Sequence, residues 1–138
     1  MNEQELKQRT KTFALRVLNV VNALPDSVAG RAIASQLIRS GSSVGANYRA
    51  ACICRSRAEF IAKLGTVLEE ADESCFWLEL IIEGNLLKKT SLQPLLREGE
   101  ELRAIFISSI RSTKQRTINQ KNITAGGNPQ IKNVKSKI

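Results

Sequence analysis

Apolar residues recur along this chain in the steps of three and four that mark amphipathic helices. The first predicted helix runs from about Asn2 to Leu24. It begins with Asn2 and Glu5 at capping-box spacing, and Pro25 ends it. Its apolar stripe comprises Phe13, Val17, Val20, Val21 and Leu24.

A second helix is predicted from about Ser27 to Cys54, with a buried face that includes two polar residues. Gly41 and Gly45 each cost roughly 1 kcal/mol relative to alanine inside a helix, which predicts that a neighbouring helix approaches closely there. A break at residues 39–43 is the alternative interpretation. The predicted buried face comprises Ala29, Gly30, Ile33, Leu37, Ser40, Val44, Asn47, Tyr48 and Ala51.

The third helix has the clearest predicted start, because Ser56 and Glu59 form an S-x-x-E capping box. Gly84 and Asn85 end it. Its apolar arc is about 200° wide, whereas a helix in an isolated bundle needs only about 100° or somewhat more. Part of this face is therefore expected to contact another subunit, through Trp77 and Ile81.

The fourth helix is predicted to open at Thr90, with Gln93 at the capping-box position, and to fray past Arg111. Residues 113–138 lack a continuous apolar period and contain Gly126, Gly127 and Pro129. We therefore predict a bundle over residues 1–112 and a disordered basic tail over residues 113–138.

The predicted fold class is all-α. At 138 residues the chain fits one domain, and long alternating β-branched runs are missing. Short connections between four helices make neighbours antiparallel, which predicts an up-down-up-down four-helix bundle. No apolar stretch reaches the roughly 18 residues of a membrane span, and no signal peptide is evident. A cytoplasmic protein without a membrane partner is expected.

Positive charge is concentrated towards the end of the chain. The formal net charge is +8, yet residues 1–102 carry 13 basic and 13 acidic side chains, and no acid follows Glu101. One interpretation of the basic residues is that they bind along the phosphate backbone of a nucleic acid. An ordinary solvated face is the other. The candidate nucleic-acid-binding residues are Arg31, Arg39, Arg49, Arg55, Arg57, Arg111, Lys114 and Arg116.

Enzymatic chemistry finds little support in the residue types. The chain has no histidine, which removes E-x-x-H di-iron sites and Ser-His or Cys-His nucleophiles. The three cysteines are predicted to be buried free thiols, without a metal or cofactor. Glu70-x-x-Glu73 and Glu98-x-x-Glu101 suggest a magnesium-dependent nucleotide pyrophosphohydrolase as a remote alternative. Solvated helix surface explains them as well.

Ser40, Asn47 and Glu70 are polar positions within or beside predicted apolar faces. A buried polar network that fixes the register of the helices is the favoured role, because buried polar groups must be paired. A ligand site is the alternative.

Residues 38–83 resemble a family of four-helix bundles, the proteins encoded in intervening sequences of bacterial large-subunit ribosomal RNA genes. The resemblance is carried by four stretches: RSGSSVGANYRAA (39–51), SRAEFIAKL (56–64), EEADE (69–73) and FWLEL (76–80). Ala50 departs from members that have a glutamate there, so an ion pair built on that position is absent.

The resemblance implies properties that the residue pattern alone does not. Members are similar to the accessory protein of diversity-generating retroelements, which assembles as a ring of five bundles and binds nucleic acid and a reverse transcriptase. It thus implies a non-enzymatic homo-oligomer, expected to be a pentamer, that acts as a scaffold with nucleic acid as its partner. A protein-interaction adaptor that does not bind nucleic acid is the alternative.

Overall fold

The computed structural model describes residues 1–126, which form four α-helices and no β-strand. The all-α prediction is therefore confirmed. The helices are α1 (Glu3–Ala23), α2 (Val28–Cys52), α3 (Arg57–Glu83) and α4 (Lys89–Gly126).

The first three helices begin where the sequence predicted, because a polar side chain caps each one. The Asn2 side chain accepts a hydrogen bond from the Glu5 N–H, and the Glu5 carboxylate accepts one from the Asn2 N–H. Ser27 caps α2, and the Ser56 hydroxyl accepts from the Glu59 N–H at 3.1 Å. Each cap satisfies a backbone donor that has no partner within its helix.

Helix α2 is continuous through residues 39–43, so the alternative of a break there is wrong. A Cβ atom at Gly41 would lie 2.8 Å from both γ carbons of Val17 on α1. One at Gly45 would lie 3.3 Å from the Thr10 hydroxyl oxygen. The predicted close approach is confirmed, because the two glycines allow the backbone of α2 to lie directly against α1.

The four helices form the predicted up-down-up-down bundle. Each helix packs along its neighbours in sequence, and α1 meets α4 over a smaller contact that closes the bundle. Side chains from all four helices fill one core, and the largest fully buried ones include Phe13, Leu37, Leu64, Leu78 and Phe106.

The turn between α3 and α4 confirms the predicted end at Gly84 and Asn85. Asn85 has a φ of 57°, the left-handed conformation that glycine and asparagine tolerate best. Helix α4 then begins at Lys89, so Thr90 lies inside the helix and the prediction that Thr90 and Gln93 form the capping box at its start is wrong.

Helix α4 continues to Gly126, so the predicted disorder of residues 113–126 is wrong. Thr113 is only 3% exposed, which extends the packed face of α4 beyond residue 112. No glycine or proline interrupts residues 100–125, and the hydroxyls of Thr113 and Thr117 bond to carbonyls one turn earlier. The rest of the predicted tail, residues 127–138, lies outside the described residues.

None of the four helices, over the part of the chain that the structure describes, is both long enough and apolar enough to cross a membrane.

Candidate nucleic-acid interface

An open cavity of about 440 Å³ lies where α2 ends and α3 begins, and we call it the end cavity. The antiparallel arrangement brings the start of α1 and the later part of α4 to the same end of the bundle. Ala51 and Thr113 are buried, whereas the three arginines of the lining are exposed. The lining residues are Glu3, Ala51, Cys52, Cys54, Arg55, Ser56, Arg57, Phe60, Thr113 and Arg116.

The end cavity brings together three arginines that the sequence had proposed separately. Arg55 lies in the α2–α3 loop, Arg57 opens α3, and Arg116 comes from the part of α4 predicted to be disordered. The Arg116 Nη2 group donates to the Thr113 hydroxyl at 3.3 Å, which ties its guanidinium to the cavity lining. Within residues 1–126, none of the three forms an ion pair. Their charge is therefore available to an external anion.

A second basic surface lies between α1 and α2, in a cavity of about 290 Å³ that we call the α1–α2 groove. Arg49, a predicted site residue, projects there from α2 beside Lys7 and Lys11 of α1, with Gln4 and Gln8. Sequence analysis did not propose the two lysines. Their spacing of four residues was the available signal, but it is equally typical of an ordinary solvated face.

The remaining candidate residues lie elsewhere. Arg31 is near the opposite end of the bundle and pairs with Asp26 at 2.7 Å. Arg39 pairs with Glu70 at 3.0 Å and also bonds to Glu73. Arg111 and Lys114 are exposed on α4. The structure therefore does not bring Arg31 and Arg39 into the end cavity, and their charges are already balanced.

An arginine from a facing helix occupies each of the two E-x-x-E motifs. Arg39 of α2 bonds to Glu70 and Glu73 of α3. Arg9 of α1 bonds to Glu98 with two 2.7 Å hydrogen bonds and lies 2.8 Å from Glu101. Residues 1–126 contain no group of three or more side chains suited to hold a metal ion. These carboxylates therefore cross-link helices.

The three predicted polar-network residues have different partners. The hydroxyls of Ser40 and Ser74 lie 3.0 Å apart in the core, and Ser74 also donates to the Glu70 carbonyl at 2.8 Å. Asn47 instead donates to the Ser43 carbonyl of its own helix, and the Glu70 carboxylate turns to Arg39. Sequence analysis missed Ser74, whose position beside Ser40 depends on how α2 and α3 pack.

The two residues predicted to contact another subunit, Trp77 and Ile81, differ in burial. Ile81 is fully buried inside the bundle, so the structure corrects its assignment to an exterior surface. Trp77 is half-buried, and its Nε1 group donates to Glu73 at 3.1 Å. The apolar residues exposed beside it are Phe76, 53% exposed, and Leu80, 40% exposed. The Phe76 ring meets the Trp77 ring edge-on, with centroids 5.0 Å apart.

The cysteines are all free, but only one lies in the core. Cys75 is 1% exposed, and burial raises the pKa of its thiol to about 11. Cys52 and Cys54 are half-buried and line the end cavity. Burial raises the pKa of Cys52 as well.

A family model and a solved structure support the resemblance that the sequence shows. The model of the family described as 23S rRNA-intervening sequence protein matches residues 2–108. A solved structure from Bacteroides thetaiotaomicron VPI-5482, a protein of unknown function in the S23 ribosomal protein family, is 33% identical with a TM-score of 0.74. The alignment covers 80% of this chain and 99% of that one. No curated protein matches the chain.

Proposed function

Because this chain belongs to the 23S rRNA-intervening sequence protein family, we propose that it is a non-enzymatic scaffolding protein of the bacterial cytoplasm that binds nucleic acid. The observation that carries the proposal is the end cavity, where Arg55, Arg57 and Arg116 converge without an ion-pair partner among the described residues. The arginines of the bundle that pair with carboxylates lie away from it. Guanidinium groups bind phosphates well because their planar forks match two phosphate oxygens.

The extension of α4 enlarges this basic surface. At 100° per residue, Arg111, Lys114 and Lys121 fall within about 80° of one another on the side of α4 that faces solvent. Arg116 points to the end cavity from a different side of the same helix. A strand that leaves the cavity therefore meets further positive charge along α4, and no carboxylate follows Glu101 to oppose it.

The α1–α2 groove supplies a second row of charges on the flank of the bundle. Lys7 and Lys11 are one turn apart on α1, which places them about 6 Å apart along the helix, a distance close to the spacing of phosphates in an extended single strand. Lys7 also lies 3.3 Å from the exposed carboxylate of Glu3, whereas Lys11 forms no ion pair among the described residues. Arg49 faces them from α2. Lysines act as point charges and suit backbone contacts that do not depend on base sequence.

Fluorescence anisotropy with labelled RNA and DNA of about 30 nucleotides tests the proposal. Replacing Arg55, Arg57 and Arg116 with glutamate should weaken binding by roughly tenfold or more near 100 mM salt, since several phosphate contacts are lost. The affinity of the unmodified protein should fall steeply as salt rises.

The matched control makes the same charge change at the opposite end of the bundle. Lys88, Lys89 and Arg97 are exposed near the start of α4. Their replacement with glutamate should change the affinity by less than about threefold, because salt screens their electrostatic interaction with a distant nucleic acid. Equal weakening by both variants would mean that net charge alone attracts the nucleic acid. Binding that ignores salt and both variants would favour a protein-interaction adaptor.

We also propose self-association through a surface formed by Phe76, Trp77 and Leu80 on α3. Its support is the exposure of two large apolar side chains around a partly buried tryptophan, a composition typical of protein interfaces. The family resemblance implies a ring of five subunits. Several copies would align several basic surfaces and multiply individually weak contacts.

Light scattering measures the mass of the assembly directly, and the expected value is near five times 15.3 kDa. Replacing Phe76 and Leu80 with serine should give a smaller species. Leu15 and Leu18 on α1 provide a matched control, because they are 53% and 43% exposed, and serines there should leave the mass unchanged. A monomeric unmodified protein would contradict the proposal.

The ion pairs argue against the remote alternative, a magnesium-dependent nucleotide pyrophosphohydrolase. Each of its two candidate carboxylate motifs already holds an arginine. Incubation with nucleotides and magnesium should therefore give no turnover.

A further inference from the structure

The end cavity differs from the α1–α2 groove in ways that point to a particular ligand. It has three arginines, two hydroxyl side chains and an aromatic ring, whereas the groove has two lysines, one arginine and two glutamines. We propose that the end cavity receives the terminal phosphate of a nucleic-acid strand, with the terminal base against Phe60. This inference rests on the proposed function, because the ligand is one end of the same strand.

The charge of the cavity suits a phosphate monoester. A terminal phosphate carries about −1.5 to −2 near neutral pH, whereas each internal diester carries one negative charge. Arg55 and Arg57 reach the cavity from the α2–α3 junction and Arg116 reaches it from α4, so two separate parts of the chain can contact one anion. Glu3 is the acid in the lining, and Lys7 lies 3.3 Å from its carboxylate and offsets its charge.

The floor of the cavity is part of the bundle. Ala51 and Thr113, which are 1% and 3% exposed, belong to the packed body of the bundle and close the cavity on that side. The rest of the cavity is open, so a strand reaches it from solvent. The volume of about 440 Å³ lies in the range of small-molecule sites, and half-buried Phe60 offers an apolar wall on which a base can stack.

Two thiols report directly on whether the cavity is occupied. Cys52 and Cys54 line it, whereas Cys75 lies in the core. A bound nucleotide should slow the alkylation of Cys52 and Cys54 by a small maleimide. This footprint does not depend on any substitution, so it locates the ligand in the unmodified protein.

The experiment compares three single strands of one sequence, about 12 nucleotides long: one with a 5′-phosphate, one with a 3′-phosphate and one with hydroxyls at both ends. Competition anisotropy should show that one phosphorylated form binds roughly tenfold more tightly than the hydroxyl form. The same strand should protect Cys52 and Cys54. Adenosine monophosphate and inorganic phosphate serve as free competitors.

The variant with Arg55→Gln, Arg57→Gln and Arg116→Gln should lose the preference for a phosphorylated end. The variant with Lys88→Gln, Lys89→Gln and Arg97→Gln should keep it. Circular dichroism shows whether each variant remains helical, and the footprint of the unmodified protein decides the proposal if the first variant does not fold. A preference without protection of the thiols, or one that survives the first variant, overturns the assignment to the end cavity.

The outcomes separate this inference from the proposed function. Equal, salt-sensitive binding of all three strands overturns the end site and leaves nucleic-acid binding intact. Binding of adenosine monophosphate with thiol protection, while no strand binds, identifies a free nucleotide as the source of the phosphate and overturns the proposed function. Failure of every ligand overturns both.

Discussion

Arg9 of α1 and Glu98 of α4 form a two-pronged ion pair, in which Nε and Nη2 each donate to a different carboxylate oxygen at 2.7 Å. These bonds, together with the one to Glu101, hold the pKa of Arg9 above its ordinary value. The pair lies where the bundle closes, between the two helices that share the smallest contact. The ion pair therefore joins the first helix of the bundle to the last one.

Replacing Arg9 with methionine should lower the free energy of unfolding by about 1–3 kcal/mol. The reason is that Glu98, whose side chain is only 17% exposed, loses its partner while remaining partly desolvated. Urea denaturation measures the loss. Arg103→Met is the control, since Asp72, the partner of Arg103, is 66% exposed, and pairs of that kind contribute about 1 kcal/mol or less. Equal losses would show that burial of the Arg9 pair is unimportant.

Two glycines inside helices should respond to alanine in opposite directions. Gly41→Ala places a methyl group 2.8 Å from two carbons of Val17. The resulting overpacking should outweigh the roughly 1 kcal/mol gained in helix propensity and give a net loss of about 1–2 kcal/mol. Nothing lies within 4 Å of a Cβ atom at Gly65. Gly65→Ala should therefore stabilise the protein by about 0.5–1 kcal/mol. Thermal unfolding should show a lower melting temperature for Gly41→Ala and a higher one for Gly65→Ala than for the unmodified protein.

Features that depend on local sequence could be predicted. Asn2, Ser27 and Ser56 cap helices through bonds to residues three positions later, so a local capping motif marks these three starts. Thr90 and Gln93 have the same spacing but do not mark the start of α4. The close approach at Gly41 was also predictable, because a glycine that weakens an otherwise regular helix needs a compensating packing role.

Features that depend on how helices pack could not be predicted. The E-x-x-E motifs look like solvated surface until Arg9 and Arg39 are placed opposite them. Helix α4 looks weak after Arg111, because its apolar period ends there. Thr113 is nevertheless buried against the end of the bundle, and Arg116, three residues later on the same helix, lines the end cavity.

The hydroxyl pair of Ser40 and Ser74 should contribute a measurable coupling between α2 and α3. The two oxygens lie 3.0 Å apart, and both residues are fully buried. A double-mutant cycle with Ser40→Ala, Ser74→Ala and the double variant should give a coupling energy of about 0.5–1.5 kcal/mol. Additive effects of the two single substitutions would show that each serine acts only through the carbonyl of its own helix.

Cys75 should make the stability of the protein fall in alkaline solution. Burial raises the pKa of its thiol from 9.0 to about 11, so the folded state keeps a proton that the unfolded state releases. The favourable contribution is therefore complete below about pH 9 and is lost as pH rises towards 11. Between pH 7 and pH 10 the loss from this group should be about 1 kcal/mol.

Urea unfolding at the two pH values, compared between the unmodified protein and Cys75→Ala, isolates this contribution from other groups that titrate in the same range. The alanine variant should be less stable at pH 7, because it leaves a void in the core, and the difference should shrink by about 1 kcal/mol at pH 10. A difference that stays constant would mean that Cys75 has the same pKa in the folded and unfolded states. It would also mean that burial at this position does not disfavour the thiolate.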